Sequence, residues 1–162
     1  MKSGPTSIDT ERLRLVPKTR EEALAQVERM SAEQRSNVSA DWLARVQSPS
    51  ADVWTLGFDL VDRATEAVIG TCGFVGPPGL DETVEIAYGV EPAYEGKGYA
   101  TEAAQSLTAF AFASGRVRIV RAHTLPQRNA STRVLTKCGF QLVGEVVDPV
   151  DGLVWRWERA PG

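Results

Sequence analysis

Apolar residues alternate with polar ones in short runs along the chain, and this period of two predicts strands. In the first run, Leu13 and Leu15 alternate with charged neighbours, so the pattern predicts a strand over 11–17. Comparable runs recur along the rest of the chain, separated by turn-like sequences such as GPPGLDE. They predict strands over 53–61, 67–75, 83–90, 117–124, 140–148 and 153–159.

Apolar residues spaced three and four apart predict helices between these strands. Thr19 and Glu22 match the capping box that begins many helices. A helical stripe follows them, consisting of Ala23, Leu24, Val27 and Met30. Further helices are predicted over 39–46, 98–114 and 129–138.

These elements follow one another as β-α-α-β-β-β-α-β-α-β-β, a mixed arrangement of the α/β or α+β class. The chain has 162 residues, which is an ordinary size for one domain. No internal repeat, linker or low-complexity segment divides it. We therefore expect a single domain over 1–162, with its packed core over about 10–159.

The net charge is −3 and the isoelectric point is near 5.3, which argues against nucleic acid as the main partner. No apolar run approaches the roughly 18 residues of a membrane span. The first residues are polar and lack the apolar centre of a signal peptide, so we expect a cytoplasmic protein. Cys72 and Cys138 lack metal-ligand spacing, and we expect free thiols and no metal site.

Two glycines, Gly96 and Gly98, stand where the predicted strand 83–90 gives way to the predicted helix 98–114. A helix N-terminus presents free N–H groups and a partial positive charge, which favour anions. Glycine lets the backbone adopt a positive φ or approach a ligand closely. The sequence matches neither a Rossmann nor a P-loop fingerprint, so the loop alone indicates either a phosphate cradle or an ordinary glycine turn.

The stretch EIAYGVEPAYEGKGYATEAAQSLTAFAF (85–112), followed by AHTLPQRNASTRVLTKCGF (122–140), resembles the GNAT superfamily of acetyl-CoA-dependent N-acetyltransferases. It is most similar to the branch that includes ribosomal-protein N-terminal acetyltransferases. The resemblance extends over 68–78 and over the order of elements. It implies a mixed, mostly antiparallel central sheet flanked by helices, with acetyl-CoA as the co-substrate.

In the family that this sequence resembles, the strand–loop–helix unit binds the pyrophosphate of coenzyme A through backbone N–H groups. The resemblance assigns this role to Gly96, Lys97, Gly98, Tyr99, Ala100 and Thr101. Glu95 stands where relatives usually have Arg or Gln, and we expect its carboxylate to point to solvent near Lys97. The family also separates the strand ending at Val90 from the strand 117–124, so Val90 either pairs with pantetheine or is an ordinary strand end.

The second segment places polar residues at the start of the predicted helix 129–138. By register, the resemblance assigns Asn129 to coenzyme A and Ser131 to the thioester sulfur. Asn129 is also a favoured helix N-cap and Ser131 an ordinary first-turn residue, so these alternatives stay open. Arg133 and Lys137 either contact the adenosine phosphate or form a solvated face. No Tyr lies between residues 100 and 162, so the tyrosine acid that some relatives carry on this helix is absent.

Acetyl transfer to an amine needs a neutral nucleophile and a group that takes its proton. At pH 7 a lysine-like amine costs about 4–5 kcal/mol to deprotonate, whereas an α-amine costs about 1–1.5 kcal/mol. On the strand that leads into the glycine loop, Glu85 shares a face with the small residues Ala87 and Gly89. Glu85 is therefore the first candidate base, unless it pairs with a neighbouring Arg. Its rivals are Asp148 and Asp151, in a sequence typical of hairpin turns, and the lone His123.

These features predict an enzyme that moves the acetyl group of acetyl-CoA to a primary amine by direct attack on the thioester. The acceptor is either a protein N-terminus or a small-molecule amine, and the protein is a monomer or a homodimer. The alternative is a catalytically degenerate domain that binds a CoA ester as a sensor or interaction module. Glu95 and the missing tyrosine favour this alternative.

Overall fold

The computed structural model describes residues 7–33, 43–44, 53–149 and 151–161. Its elements in chain order are β1 (Ile8–Asp9), β2 (Leu13–Pro17), α1 (Arg20–Arg29), α2 (Val53–Leu56), β3 (Phe58–Asp62), β4 (Val68–Phe74), β5 (Thr83–Val90), α3 (Tyr99–Ala113), β6 (Ile119–Thr124), α4 (Ala130–Lys137), β7 (Gln141–Asp148) and β8 (Gly152–Arg159). A short 3-10 turn at Pro92–Tyr94 lies between β5 and α3.

Within the described residues the strands form one eight-stranded sheet, in the order β1-β2-β3-β4-β5-β6-β8-β7. Neighbouring strands are antiparallel except β5 and β6, which run parallel. The predicted mixed and mostly antiparallel sheet with flanking helices is therefore confirmed.

The parallel pair β5 and β6 comes apart after a short stretch. Only the pairs Thr83–Ile119, Val84–Val120 and Glu85–Arg121 connect the two strands. Beyond them, β5 stays paired with β4 as far as Val90, and β6 stays paired with β8 as far as Thr124. Because each strand is held by its outer neighbour, a gap opens between β5 and β6 towards the glycine loop.

One face of the central strands carries the core, and α3 packs against it. The strands contribute large apolar side chains that are fully buried, among them Leu13, Leu15, Leu60 and Ile69. The facing residues of α3 are mostly small, namely Ala103, Ala104, Leu107 and Ala111. Small side chains let the helix approach the sheet closely, and this packing fixes the start of α3 beside the gap. Among the described residues, no helix has both the length and the apolar character needed to cross a membrane.

Three local expectations need correction. Residues 53–56 form the short helix α2 instead of a strand start, because Gly57 turns the chain at a φ of 76° before β3 begins. The first strand begins at Leu13, since residues 11–12 form a bend, and the short strand β1 precedes it. The predicted helix over 39–46 lies outside the described residues, except for 43–44, which are helical.

The close approach of β4 to the end of β5 depends on Gly70. A Cβ at this position would lie 2.2 Å from the Gly89 carbonyl oxygen and 3.0 Å from the Val90 Cα. Gly70→Ala should therefore lower the free energy of unfolding by about 1–3 kcal/mol, since backbone must shift to admit the methyl group. Denaturant titration measures this loss.

The matched control is Gly89→Ala in the facing strand. Its Cβ would meet no atom within 4 Å, and Gly89 has no positive φ. An alanine there should leave stability unchanged or slightly raised, because glycine is a weak strand former. Equal destabilisation by both variants would contradict the steric explanation.

Candidate functional site

The glycine loop forms an open backbone cradle at the start of α3. Gly96 and Gly98 adopt φ values of 75° and 86°, in the left-handed region that favours glycine. The first intrahelical hydrogen bond runs from the Glu102 N–H to the Gly98 carbonyl oxygen, at 3.1 Å. The N–H groups of residues 99–101 therefore have no acceptor within the helix. Such a site suits a phosphate group.

Thr10 and Arg12, near the amino terminus, form a side-chain cluster with Glu102 of α3, and this cluster packs against the cradle. The Glu102 carboxylate accepts hydrogen bonds from the Thr10 hydroxyl and from the side chain and backbone of Arg12. The Arg12 guanidinium lies 4.3 Å from the centroid of the Tyr99 ring. One of its nitrogens would lie 3.1 Å from a Cβ at Gly98. Arg12 thus occupies the space behind the loop and holds it in place.

Hydrogen bonding decides the charge state of Glu102. Burial acts to raise the pKa of this carboxyl group, but the hydrogen bonds from Thr10 and Arg12 outweigh it and lower the pKa below its ordinary value. The side chain is only 18% exposed. The ionised carboxylate is therefore the form that stabilises the folded protein.

A cavity of about 490 Å³ extends from the cradle into the gap between β5 and α4. Its lining residues are Tyr88, Gly89, Val90, Tyr94, Glu95, Gly96, Gly98, Tyr99, Ala100, Thr101, Ala130, Ser131, Arg133, Val134 and Lys137. The structure thus brings together most of the residues predicted to bind the cofactor. We call this space the cofactor cavity.

Two predicted cofactor residues, Lys97 and Asn129, do not line the cofactor cavity. The Asn129 side-chain oxygen accepts a hydrogen bond from the Thr132 N–H at 3.0 Å and caps α4, which is the alternative that the sequence left open. Glu95 is exposed and lines the cavity, and among the described residues it makes no ion pair with Lys97. Coenzyme binding by Asn129 and Lys97 stays a prediction.

Arg133 and Lys137 line the same cavity from α4. Neither makes an ion pair with another residue in the part of the chain that the structure describes. Both charges are therefore available to a phosphate group beside the cradle.

A second cavity, of about 630 Å³, lies on the other side of β5, and we call it the acceptor cavity. It brings Glu85 together with two candidate bases that lie more than 60 residues later in the sequence, namely Asp148 and Asp151. Lys18 also lines it, but its ammonium group lies 3.9 Å from Asp59 and donates to Gln26. Tyr88 and Gly89 line both cavities, so the two spaces meet at this point of β5.

Glu85 belongs to a hydrogen-bonded chain of three side chains. Its carboxylate lies 2.9 Å from His123 Nδ1, and the Arg156 Nε–H donates to His123 Nε2 at 3.1 Å. Because Nε2 accepts a hydrogen bond, the imidazole carries its proton on Nδ1, and this N–H donates a hydrogen bond to the Glu85 carboxylate. The expected partner of Glu85, a neighbouring Arg, is thus replaced by His123. The nearby Arg121 pairs with Glu158 instead.

Ser131 of α4 and Tyr88 of β5 line the same cofactor cavity. Burial raises the pKa of Tyr88 to about 12, and the Ser131 side chain opposes this only in part. Tyr88 comes from the strand β5 and not from α4, and it lies on the same strand face as the buried Val84 and Ile86.

The remaining candidates have structural roles. Trp157 is 2% exposed and donates to the Thr124 hydroxyl, so it belongs to the core. Cys72 and Cys138 are buried free thiols, which confirms the sequence interpretation. Burial raises the pKa of Cys72 to about 12 and that of Cys138 to about 11. Among the described residues, no group of three or more His, Cys, Asp or Glu side chains lies together to hold a metal.

Comparison with known proteins identifies the family. The model of the acetyltransferase (GNAT) domain matches residues 8–141. The chain therefore belongs to the GNAT acetyltransferase family, as the glycine loop and the separated strands indicated.

The relatives are similar in sequence or in fold. The uncharacterized N-acetyltransferase p20 of Bacillus licheniformis is 31% identical over 105 residues, which are 65% of this chain and 54% of that protein. A GNAT-family acetyltransferase from Bacillus anthracis has a TM-score of 0.69 at 20% identity, covering 96% of this chain and 98% of that one. RimL, a ribosomal alpha-N-protein acetyltransferase in complex with coenzyme A, has a TM-score of 0.68 at 15% identity, covering 96% and 98%. The chain spans about half the length of the curated relatives that it matches.

The cluster behind the cradle predicts a pH-dependent loss of stability. Glu102→Gln should lower the free energy of unfolding at pH 7 by about 1–3 kcal/mol, because charge-assisted hydrogen bonds are lost. The pKa of Glu102 is lower in the folded state, so its contribution is complete above the ordinary value of 4.5 and disappears as pH falls through the folded value. The difference between variant and parent should shrink as pH falls from 7 to 4 in denaturant titrations.

Glu28→Gln serves as the matched control, because Glu28 is exposed on α1. It should change stability by less than about 0.5 kcal/mol at either pH. A deficit of Glu102→Gln that stays constant with pH would show that the carboxylate charge is not what stabilises the fold.

Proposed function

We propose that this protein transfers the acetyl group of acetyl-CoA to a primary amine. The observation that carries the proposal is the meeting of two cavities at Tyr88 and Gly89, at the point where β5 has separated from β6. One cavity has a phosphate cradle and the other has carboxylates. A thioester reaching this point from one side would meet an amine arriving from the other.

The charges and the open backbone of the cofactor cavity support coenzyme A as its ligand. We expect the free N–H groups of residues 99–101 to bind the pyrophosphate. Arg133 and Lys137 of α4, which make no ion pair with any described residue, line the same cavity. The backbone of β5 near Val90 has no ladder partner on the side of β6, so it is open to an amide of the pantetheine arm. When bound, acetyl-CoA supplies the activated acetyl group, and the residues of the cavity position that group.

The acceptor cavity fits a cationic amine. Glu85, Asp148 and Asp151 line it, whereas Lys18 has Asp59 beside it. Carboxylates attract an ammonium group and orient it, although the amine must lose a proton before it attacks. We propose an acceptor that is either a protein N-terminus or a small amine, and the likeness to RimL agrees with the former.

Glu85 is the carboxylate that we assign as the base. It is the last residue of β5 that pairs with β6, and its side chain is 32% exposed. One carboxylate oxygen of Glu85 accepts a hydrogen bond from the His123 N–H. The other oxygen can accept a hydrogen bond from a water molecule or from the amine. Arg156 in turn fixes the imidazole, so the carboxylate is oriented before substrate arrives.

Coenzyme A should raise the melting temperature, because it binds only the folded cradle. At a hundredfold excess over its dissociation constant the gain is about 2.7 kcal/mol. Gly98→Val should abolish most of the shift, since valine is strained at a φ of 86° and would press against Arg12.

Gly115→Val is the control for backbone strain. Gly115 adopts a φ of 75° at the other end of α3, outside both cavities, and a Cβ there meets nothing within 4 Å. This variant should lose stability yet keep the coenzyme-induced shift. No shift of the parent protein with millimolar acetyl-CoA would overturn the proposal.

Turnover is tested with a panel of amines and a readout of released thiol. The panel includes amino-terminal peptides, polyamines, amino acids and aminoglycosides. Thiol release that depends on one amine class supports acetyl transfer. Coenzyme binding without release for any amine would favour the alternative, a CoA-ester-binding module with no catalytic activity, which Glu95 beside the cradle also favours.

Glu85→Gln should lower kcat/KM and change the acidic limb of its pH profile. The deficit should shrink as pH rises, because the amine then loses its proton unaided. Glu158→Gln is the matched control, since Glu158 is 25% exposed, is ion-paired with Arg121 at 2.7 Å and lies outside both cavities. Loss of stability with an unchanged pH profile in Glu85→Gln would show a structural role and shift the assignment to Asp148 or Asp151.

A further inference from the structure

His123 lies between a carboxylate and a permanent cation. Its Nδ1 is 2.9 Å from the Glu85 carboxylate, and its Nε2 is 3.1 Å from the Arg156 Nε. Resting on the acetyl transfer proposed above, with Glu85 as the base, we infer that Arg156 and His123 are positioning residues. Arg156 keeps the imidazole neutral, and the neutral imidazole preserves Glu85 as a base that a cationic amine can approach.

The order of strands brings these three side chains to one face of the sheet. Glu85 in β5 is paired with Arg121 in β6, and His123 follows Arg121 by two residues, so all three point to the same face. His123 in turn lies directly opposite Arg156 in β8. Because β5, β6 and β8 are neighbours in the sheet, the row of side chains is fixed by strand pairing and not by a loop.

The chemistry of arginine determines the direction of the hydrogen bonds in this row. A guanidinium carries N–H donors and no acceptor, and it stays protonated in proteins. The Arg156 Nε–H must therefore donate, and His123 Nε2 must offer a lone pair. A second proton on Nε2 would set two N–H groups against each other and one cation beside another. The His123 side chain is only 12% exposed, so it has little access to water as a substitute partner.

A neutral donor suits the proposed role of Glu85 better than a charged one. An imidazolium beside the carboxylate would stabilise its negative charge and so weaken it as a base. It would also repel an ammonium group that enters the acceptor cavity. The neutral Nδ1–H of His123 still holds one carboxylate oxygen in place, so orientation is achieved without either cost.

The same arrangement limits the path of the acceptor's proton. The proton lost from the amine nitrogen binds the second oxygen of Glu85, directly or through water, and then passes to solvent. It cannot continue into the row, because His123 Nδ1 already carries a proton and Nε2 accepts from Arg156. The row therefore supports the base without acting as a proton relay, and His123 is not itself the base.

Other charged groups on this face have partners of their own or belong to the acceptor cavity. Arg121 and Glu158 form an ion pair at 2.7 Å. The other charged side chains that line the acceptor cavity are Lys18, Asp148 and Asp151. Within the described residues, the charged groups that contact the imidazole are Glu85, which favours its protonation, and Arg156, which opposes it.

The test is Arg156→Met, which keeps much of the side-chain length and removes the charge and the donor. Without the opposing cation, Glu85 should draw a second proton onto His123 at a higher pH than in the parent. We expect kcat/KM to stay within about threefold of the parent at pH 9 and to fall about 10-fold below it at pH 6, which corresponds to a displacement of about one pH unit. Arg156→Lys supplies another cationic donor and should restore most of the loss.

A second substitution shows whether the imidazole causes the defect. His123→Asn keeps an N–H donor for Glu85 and cannot take up a second proton in this range of pH. When Arg156→Met is added to His123→Asn, any further loss of kcat/KM should be the same at pH 6 and at pH 9. A loss that still grows towards pH 6 in this double variant would overturn the inference.

Arg159→Met is the matched control, because Arg159 belongs to the same strand but points to its other face. Its guanidinium donates to the Cys138 carbonyl oxygen at 3.0 Å, outside both cavities. The control removes an arginine from β8, so it should lower the melting temperature without changing the pH profile of kcat/KM. Melting temperatures of all variants show that each is folded in the assay.

Nitrogen NMR of the imidazole provides a readout that does not depend on turnover. His123 is the single histidine of the chain, so histidine labelling yields one pair of ring signals. At pH 8 the parent should show a protonated Nδ1 and an unprotonated Nε2. A proton on Nε2 in the parent would overturn the inference, since Arg156 could not then donate to it.

The remaining outcomes separate this inference from the proposed function. An active parent whose Arg156→Met variant loses the same fraction of kcat/KM at every pH overturns the inference alone, because the arginine would then serve only the fold. A parent that releases no thiol with any amine overturns the proposed function and the catalytic role inferred here with it.

Discussion

The pairing of β5 with β6 stops after Glu85 and Arg121, and the site depends on this interruption. A buried strand normally satisfies its N–H and carbonyl groups on both sides. Here β4 holds β5 to its last residue and β8 holds β6 to its last, so neither strand can close the gap by moving towards the other. The gap is thus a fixed opening that leaves backbone of β5 available to a ligand, and both cavities reach this part of β5 at Tyr88 and Gly89.

The strand β5 also separates two electrostatic environments. On one side lie the N-terminus of α3 and two cations of α4 that make no ion pair within the described residues, and these groups favour phosphate. On the other side lie the carboxylates of the acceptor cavity, which favour an ammonium group. A single strand can divide the site in this way because its side chains alternate between the two faces. The two faces of one strand can therefore attract ligands of opposite charge.

Local patterns in the sequence predicted the strands, the principal helices and the glycine loop, because these depend on spacing and on the special conformations of glycine. Asn129 shows where such reasoning stops, since one residue type suits both a helix cap and a ligand contact. The partner of Glu85 could not be predicted, because His123 and Arg156 reach it only through the order of strands in the sheet. Residues 53–56 formed a helix because Gly57, and not the apolar pattern, determines where the strand begins.

The contact between Arg12 and Glu102 spans 90 residues of the chain. Helix α3 is local and can form within microseconds, whereas this contact must wait until the amino-terminal strands have joined the sheet. Arg12 therefore reaches the glycine loop only at a late stage of folding. A partly folded chain would carry the helix without the finished cradle, so the shape of the glycine loop depends on the docking of the amino-terminal strands.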